Sequence, residues 1–478
     1  MSALHTDVLI VGAGVAGLSA AVALSGAGAS VALLDRKPYV GGRAYSYPHP
    51  ALNEVIDSQH VLVGCCTNLL DLCARSGADR HLRWYDRIPF LEPSTAGRPS
   101  RMSEIGAGSL PAPAHSTFSF LQAKMLSSAD KVGIATALLH FLRGYPETDE
   151  QPFSEWILRA KQSDRSIRHF WEPLVVATLN DSFENCSTRY AGQVFHELFL
   201  KSAQGGRQGI PTQPLSEFYA PVAQLAEQQG TVLHLRNSID RIEQLAGGRW
   251  RAHTSDGSAH TAANLLLALP FEQTQKLLTT LPESSPQRQQ ILPSIEHFKH
   301  APMTTVHLWL DRSVMDLDQA ALLDTRIQWV FNKSRIRRDE PAASSQPGEY
   351  LELVIAASFA ELHSTREAIL SSAMEELALF FPSVRSAKLI KSGVLKEARA
   401  TFSVLPGLDR YRPLADAGGG LFLAGDWTRT GWPSTMEGAA RSGRLAAEGI
   451  AGAAGSPTRF LTPDLLPSGL MRWLVPSP

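Results

Sequence analysis

The stretch that decides the fold is Asp7-Val-Leu-Ile-Val11, Gly12-Ala-Gly14-Val-Ala-Gly17, Leu18-Ser-Ala-Ala-Val-Ala-Leu24, continuing through Gly26 and Gly28 to Ser30-Val-Ala-Leu-Leu34 and Asp35. The first run is short and apolar, suited to a buried parallel strand. A Gly-x-Gly-x-x-Gly turn then opens a helix, Gly26 and Gly28 end it, and a second apolar run closes on an acid. Strand, glycine turn, helix, strand and acid follow in the order that a dinucleotide-binding unit requires. Gly12 permits the tight turn, Gly14 lets backbone N–H groups approach a pyrophosphate, and Gly17 lets helix and strand pack closely. Val15 and Ala16 fall at the helix N-terminus, whose partial positive charge favours phosphate. Asp35, with Arg36 beside it, is placed to accept from ribose hydroxyls. A glycine-rich helix packed on a sheet without a ligand is the plainer reading of the glycines alone. The complete order of elements favours the dinucleotide.

The stretch continues Arg36-Lys-Pro-Tyr-Val-Gly41-Gly42-Arg43. At this point the chain resembles the two-dinucleotide-binding-domain flavoproteins, whose Gly-Gly-Arg after the ribose acid helps to hold FAD. The resemblance favours FAD over a nicotinamide cofactor and adds Gly42 and Arg43 to the expected contacts.

A chain of 478 residues holds two domains or one large discontinuous one. Lys and Arg number 45 against 46 Asp and Glu, so nothing in the charge points to a nucleic-acid partner. Cys65, Cys66, Cys73 and Cys186 have neither metal-ligand nor disulfide-framework spacing and read as small buried residues of a reduced compartment; no metal site is expected. Val8 to Leu34 is largely apolar, but it lacks a basic flank and glycines cut it into strand and helix lengths. The expected location is cytoplasmic, soluble or peripheral on the inner face of the membrane.

Taken in order, the chain reads as an α/β protein, a Rossmann-type FAD-binding domain with a discontinuous α+β substrate domain. FAD-binding parts are expected over 1–83, 213–286 and 395–454, substrate-domain parts over 84–212 and 287–394, and a tail over 455–478. Asp57-Ser-Gln-His60 follows a loop rich in Tyr, Pro and His, and a helix is expected from Thr67 to Ser76. Residues 84 to 114 suit antiparallel strands. Ser116 to Tyr145 reads as helical, with a broad face of Leu121, Met125, Val132, Ile134, Leu138, Leu139 and Phe141. By default that face is core; the alternative is the wall or mouth of an apolar channel that touches a membrane. Phe170 to Asn180 is helical with Pro173 in its first turn, and Trp171 and Asn180 are weak site candidates. A hairpin joins Ser238–Glu243 to Arg249–Ser255, and a third strand and a separate buried strand, Asn264–Ala268, follow it. Thr304 to Leu310 alternates in period two, and Arg335 to Gly348 reads as an exposed, mobile loop.

Near the C-terminus, Gly418 to Asp426 is a strand ending in an acid, and a helix from Gly438 to Ala454 follows Ser434-Thr-Met-Glu437. Asp426 is placed to hold a ribityl hydroxyl, and the helix N-terminus to lie against a flavin pyrimidine. Ser434-x-x-Glu437 also has the spacing of a capping box, which is reason enough for the glutamate. The apolar tail from Phe460 to Trp473 either packs on the body or lies on a bilayer.

Gly425-Asp-Trp-Thr428, Thr435-Met-Glu-Gly-Ala439, Asp57-Ser-Gln-His60 and Phe170-Trp-Glu-Pro-Leu174, taken with the N-terminal fingerprint, are a specific combination. They resemble the bacterial hydroxysqualene dehydroxylases, squalene-associated FAD-dependent enzymes of hopanoid pathways within the carotenoid desaturase and flavin amine oxidase superfamily. The resemblance implies non-covalent FAD held by Gly12, Gly14, Gly17, Asp35, Gly42, Arg43, Gly425, Asp426 and Met436. It implies an apolar isoprenoid substrate and an unidentified electron donor to the flavin. The implied reaction is reductive removal of the hydroxyl of hydroxysqualene by hydride, yielding squalene. A positioned acid must protonate the departing hydroxyl; the expected donor is His60, oriented by Asp57. Two rivals share the frame. An oxidative carotenoid or phytoene-type desaturase would run it in the opposite redox direction. A flavin amine oxidase is disfavoured, because Thr304-Thr-Val-His307 carries no lysine and no cysteine follows Cys186.

Overall fold

The opening stretch folds as its spacing requires, into the strand Thr6–Val11, the helix Val15–Gly26 and a parallel strand Val31–Leu34. This computed structural model describes residues 6–339 and 348–475. The helix is apolar all round and buried from Val15 to Ser25, because it lies between the sheet and two further helices, Leu215–Gln228 and Met436–Ala453. The second contact is close enough to need a glycine. A Cβ on Gly443 would stand 2.1 Å from the Ala16 carbonyl oxygen.

The first sheet runs Val232–His234, Val31–Leu34, Thr6–Val11 and Ala259–Ala268, all parallel. Ala259–Ala268 is one ten-residue strand, not the two expected. Its first half pairs with the antiparallel ribbon Trp250–Thr254 and Ile239–Gln244, and its second half with the parallel strand Leu421–Ala424. That division of one strand between two partners brings residues 425 and 426 beside Ala268 and the fingerprint turn.

The second sheet is antiparallel apart from one pair. Its order is Leu389–Phe402, His300–Leu310, Glu349–Ala356, Trp329–Asn332, Gln319–Leu322, Arg87–Glu92 and Arg101–Gly106. In His300–Leu310 every residue from Thr304 to Leu310 is buried, with Val306, Leu308 and Leu310 in one core cluster with Ile369 and Leu377, so the alternation in its sequence does not appear as alternating exposure. Leu389–Phe402 is a single strand of this sheet, so the boundary expected at 394/395 falls inside a continuous element. A small sheet of Leu62–Val63, Gln208–Pro211 and Leu82–Tyr85 joins the two halves.

Three further expectations are corrected. The apolar residues from 116 to 145 do not form one face. They are spread over the helix Thr117–Gln122, the link that holds Met125, the helix Ser128–Leu138 and the helical turn Leu139–Phe141, with Met125, Ile134 and Phe141 buried and Leu121, Val132 and Leu139 exposed. Trp171 is core, packed among Phe153, Trp156, Phe170 and Phe195 with its indole N–H donated to Gln162 Oε1 at 2.9 Å. The expected loop from Arg335 begins instead within the helical turn Lys333–Ile336, and Arg337 is fixed by an ion pair; residues 340–347 lie outside the described residues. All four cysteines are free and buried. Among the described residues no helix is long and apolar enough to cross a membrane.

Candidate active site

A cavity of about 870 Å³ runs from the fingerprint turn to the second sheet. Its nucleotide end is built from backbone. Gly12 has a φ of +108°, and a Cβ there would stand 2.4 Å from the Ala268 carbonyl oxygen. A Cβ on Gly17 would stand 1.9 Å from the Gly12 oxygen. Gly14 differs: its Cβ would meet nothing nearer than Gly42 Cα at 3.5 Å, so the space it leaves belongs to the cavity. No side chain caps the helix that begins at Val15, and its first turn carries no acid. Asp35 accepts from Ala13 N (2.7 Å) and Lys37 N (2.8 Å), which holds its carboxylate against the turn. The Gly41 amide donates to the Ala13 carbonyl at 2.9 Å, so the Gly-Gly-Arg loop leans back on the fingerprint.

Across this end Arg43 pairs with Asp426, which also accepts from Ser434 Oγ at 2.5 Å. Helix Met436–Ala453 begins here, capped by Thr435, whose hydroxyl accepts from Gly438 N at 3.0 Å. The expected capping box is therefore absent. Glu437 reaches instead to the helix Thr67–Ser76, where it accepts from Leu69 N (2.8 Å), Asn68 N (3.2 Å) and Asn68 Nδ2 (3.0 Å). It caps a helix, but not its own. Of the cofactor residues read from sequence, Gly12, Gly14, Val15, Ala16, Asp35, Arg36, Gly42, Arg43, Gly425, Asp426 and Met436 line the cavity. Gly17 does not, and its part is packing. An uncapped helix start, a cradle that a Cβ on Gly14 would fill and acids at two strand ends suit a dinucleotide with its diphosphate on the turn.

The substrate end is built from side chains that are distant in sequence. Asp57 closes the strand Glu54–Asp57 and begins a strap through His60. Asp57 does not orient His60. Its carboxylate accepts from Lys333 Nζ (3.0 Å), from Arg337 Nη2 (2.9 and 3.0 Å) and from Leu215 N (3.2 Å). Burial would raise this carboxyl, but Arg337 and Lys333 outweigh burial and hold it well below the usual carboxylate range. Lys333 also meets Gln59 Oε1 (2.7 Å) and Glu352 Oε2 (3.1 Å), and Glu352 Oε1 accepts from Gln59 N at 2.6 Å. Lys333 and Arg337, which follow a strand of the second sheet, thus grip a strap that leaves the two-stranded ribbon of Ser46–His49 and Glu54–Asp57.

What the strap presents is His60, which lines the cavity. Its Nδ1 lies 2.7 Å from the Ser58 carbonyl oxygen and must carry the proton, because a carbonyl only accepts. Among the described residues no group bonds Nε2. Burial lowers the pKa of the ring below its ordinary 6.5, so His60 is neutral and offers an acceptor, not an acid. Leu174, Leu179, Val194, Met303, Trp329 and Phe331 give this end an apolar wall. Asn180, in the left-handed region at φ +51°, also lines it and is held by Thr401 Oγ1 (2.9 Å) and Ala357 N (3.0 Å). Sequence reading missed Lys333, Arg337, Glu352 and Glu197. Glu197 lines the cavity, its carboxyl raised by burial against the opposing pull of Lys201 at 3.0 Å.

Known proteins resemble this chain over most of its length. A family profile described as "Flavin containing amine oxidoreductase" matches residues 15–451. The zeta-carotene desaturase of Synechocystis sp. is 26% identical, over 93% of this chain and 96% of its own. The chloroplastic/chromoplastic 15-cis-phytoene desaturase of Solanum lycopersicum is 27% identical, over 93% of this chain and 77% of its own. Among solved structures, an oxidoreductase from Methanosarcina mazei superposes with a TM-score of 0.71 at 16% identity, covering 91% of this chain and 98% of its own. Cyclohexylamine oxidase from Brevibacterium oxydans does so at 0.67 and 16%, covering 94% and 100%.

Proposed function

Because the chain belongs to the flavin-containing amine oxidoreductase family and is an FAD-dependent oxidoreductase, we propose that it desaturates a long isoprenoid hydrocarbon. FAD, held non-covalently at the glycine turn and by Asp35, Arg43 and Asp426, supplies a two-electron acceptor for hydride. The observation that carries the reading is His60. Removing two hydrogens from a saturated carbon pair requires hydride and proton to leave separately, and Nε2 of a neutral imidazole is an acceptor for the proton. The apolar walls orient the chain and exclude water, and Lys333 and Arg337 keep the strap in place. The full-length similarity to carotenoid desaturases supports the same direction.

One observation favours a second reading, reductive dehydroxylation of hydroxysqualene to squalene. That reaction needs an acid. His60 is unsuited to the part, whereas Glu197, raised by burial on the same cavity, is suited to it. An anaerobic single turnover separates the two. Oxidised flavin should bleach with phytoene or ζ-carotene and yield a product two hydrogens lighter. Oxidation of pre-reduced flavin by hydroxysqualene, with squalene appearing and no bleaching by the carotenes, overturns desaturation.

A further inference from the structure

Seven of the fourteen large apolar side chains exposed among the described residues fall in two short segments. Phe118 and Leu121, 55% and 58% exposed, stand three apart and so on one face of the helix Thr117–Gln122. Val132 and Leu139, 68% and 63% exposed, stand seven apart, two turns along the next helical segment. Leu466, Leu470 and Trp473 belong to the tail, and Trp473 is 88% exposed.

The structure joins these segments. Leu470 N donates to the Ala112 carbonyl at 2.8 Å, just before the turn Ala114–Ser116 that leads into helix Thr117–Gln122. Lys131 Nζ donates to the Leu121 carbonyl at 2.6 Å, fastening the second helix to the first. On its inner side the first helix sets Phe120 edge-on to Phe170, which packs on Phe195 and Phe199. Val194 and Leu198, on the same helical run as Phe195 and Phe199, line the cavity.

A cationic cleft adjoins this face. Arg98, Arg101, Lys124, Arg165 and Arg168 line it against Glu92 and Asp324, an excess of three cations. Lys124 follows Leu121 by three residues. Arg101 and Arg165 engage Glu92, and Arg168 engages Asp324. Arg98 and Lys124 have no acidic partner among the described residues.

We propose that this face docks on an anionic lipid bilayer. Phe118, Leu121, Leu470 and Trp473 enter the boundary between headgroups and acyl chains, and the cleft receives lipid phosphates. A protein partner would call for a shaped groove. Apolar side chains on separate segments, an indole in the tail and a cationic rim suit a deformable interface instead. The proposal rests on the isoprenoid reading for its purpose, which is delivery of a water-insoluble substrate from the bilayer to the wall beneath helix Thr117–Gln122.

The test is flotation of the full-length yellow protein with substrate-free vesicles, of phosphatidylcholine alone or with added phosphatidylglycerol. The protein should float with the anionic vesicles, less so at high salt. Replacing Arg98 and Lys124 by Glu should weaken flotation by roughly tenfold or more. Phe118→Ser, Leu121→Ser and Trp473→Ser together should abolish it, with flavin absorbance and thermal unfolding unchanged because all three side chains are exposed. Wild-type protein that stays behind with both vesicles overturns the proposal, as does a triple variant that floats equally well. A dimer that the triple variant disrupts, without vesicle binding, assigns the face to a second copy and also overturns it. Since the vesicles hold no substrate, flotation without turnover of any isoprenoid would refute the substrate reading and leave the docking surface supported.

Discussion

The two ends of the cavity are made differently. At the nucleotide end the protein offers backbone, and side chains are chiefly absent: Gly12, Gly14, Gly17 and Gly42 leave room for one another and for a ligand. At the substrate end it offers buried charge, with Lys333, Arg337, Asp57 and Glu352 gathered from three segments of the chain. The first kind of site depends on space, and the second on a balance between desolvation and pairing. Substitutions at the two ends should therefore fail in different ways.

The largest effect belongs to Gly17. Any side chain there runs into the Gly12 carbonyl, a backbone group that cannot swing away. Gly17→Val should destabilise by at least the roughly 3 kcal/mol of severe overpacking, and the protein should be recovered insoluble or colourless. Gly14→Ala sharpens the contrast, because its Cβ meets only an ordinary contact at 3.5 Å. That variant should unfold within about 0.5 kcal/mol of wild type and yet lose flavin, measured as absorbance per polypeptide. Stable, fully yellow Gly14→Ala protein would mean that the space beside the turn is not where a diphosphate lies.

At the other end His60→Ala should keep its flavin and lose about 10²- to 10⁴-fold in single-turnover rate. The sign of the pH dependence tests the role. A base whose pKa is lowered by burial works above that pKa, so the rate should be flat through neutrality and fall as pH drops below the ordinary histidine value of 6.5. A rate that falls instead as pH rises would identify an acid and return the argument to Glu197.

Lys333→Met tests the buried charges. It leaves Glu352 and Gln59 without their shared cation while Arg337 still holds Asp57, and breaking such a network costs about 3–5 kcal/mol. Thermal unfolding should fall accordingly, with flavin retained below the new transition. A change under 1 kcal/mol would mean that Arg337 alone holds the strap.

The same contrast governs what could be read from the sequence. Gly12 to Asp35 and Gly425 to Met436 lie within short windows, where the fixed geometry of a strand–turn–helix converts spacing directly into position, so the turn, the helix starts and the strand ends beside the cavity are legible in the sequence. The charge network joins residues 57, 333, 337 and 352, and no local period links them. Arg335 to Gly348 looked like a solvated loop because it is charged, whereas Arg337 finds its carboxylate nearly three hundred residues upstream. His60 lines the cavity and Asp57 does not: adjacency in sequence hides the fact that the acid turns towards Arg337 and the ring towards Ser58. Leu389–Phe402 was divided for a similar reason, since one continuous strand carries no internal mark of the sheet to which it belongs.

Glu437 is the smallest and most discriminating case, because a local rule and a distant contact both account for it. In a capping box it would serve Met436–Ala453, and its loss would loosen that helix beside Asp426. In the structure it serves Thr67–Ser76 through the amides of Asn68 and Leu69, and Arg441 stands at 3.5 Å. Burial raises its carboxyl against these partners, so full charge matters less than an oxygen aimed at each amide. Glu437→Gln keeps one such oxygen and should cost about 1 kcal/mol, and Glu437→Ala, which leaves both amides unpaired in the interior, about 2–3 kcal/mol. Hydrogen exchange at single amides locates the damage. Loss of protection at Asn68 and Leu69 with Gly438 unchanged follows from the distant contact, because Gly438 is held by Thr435. Loss at the start of Met436–Ala453 alone would restore the box and leave the buried bonds to residues 68 and 69 without energetic weight.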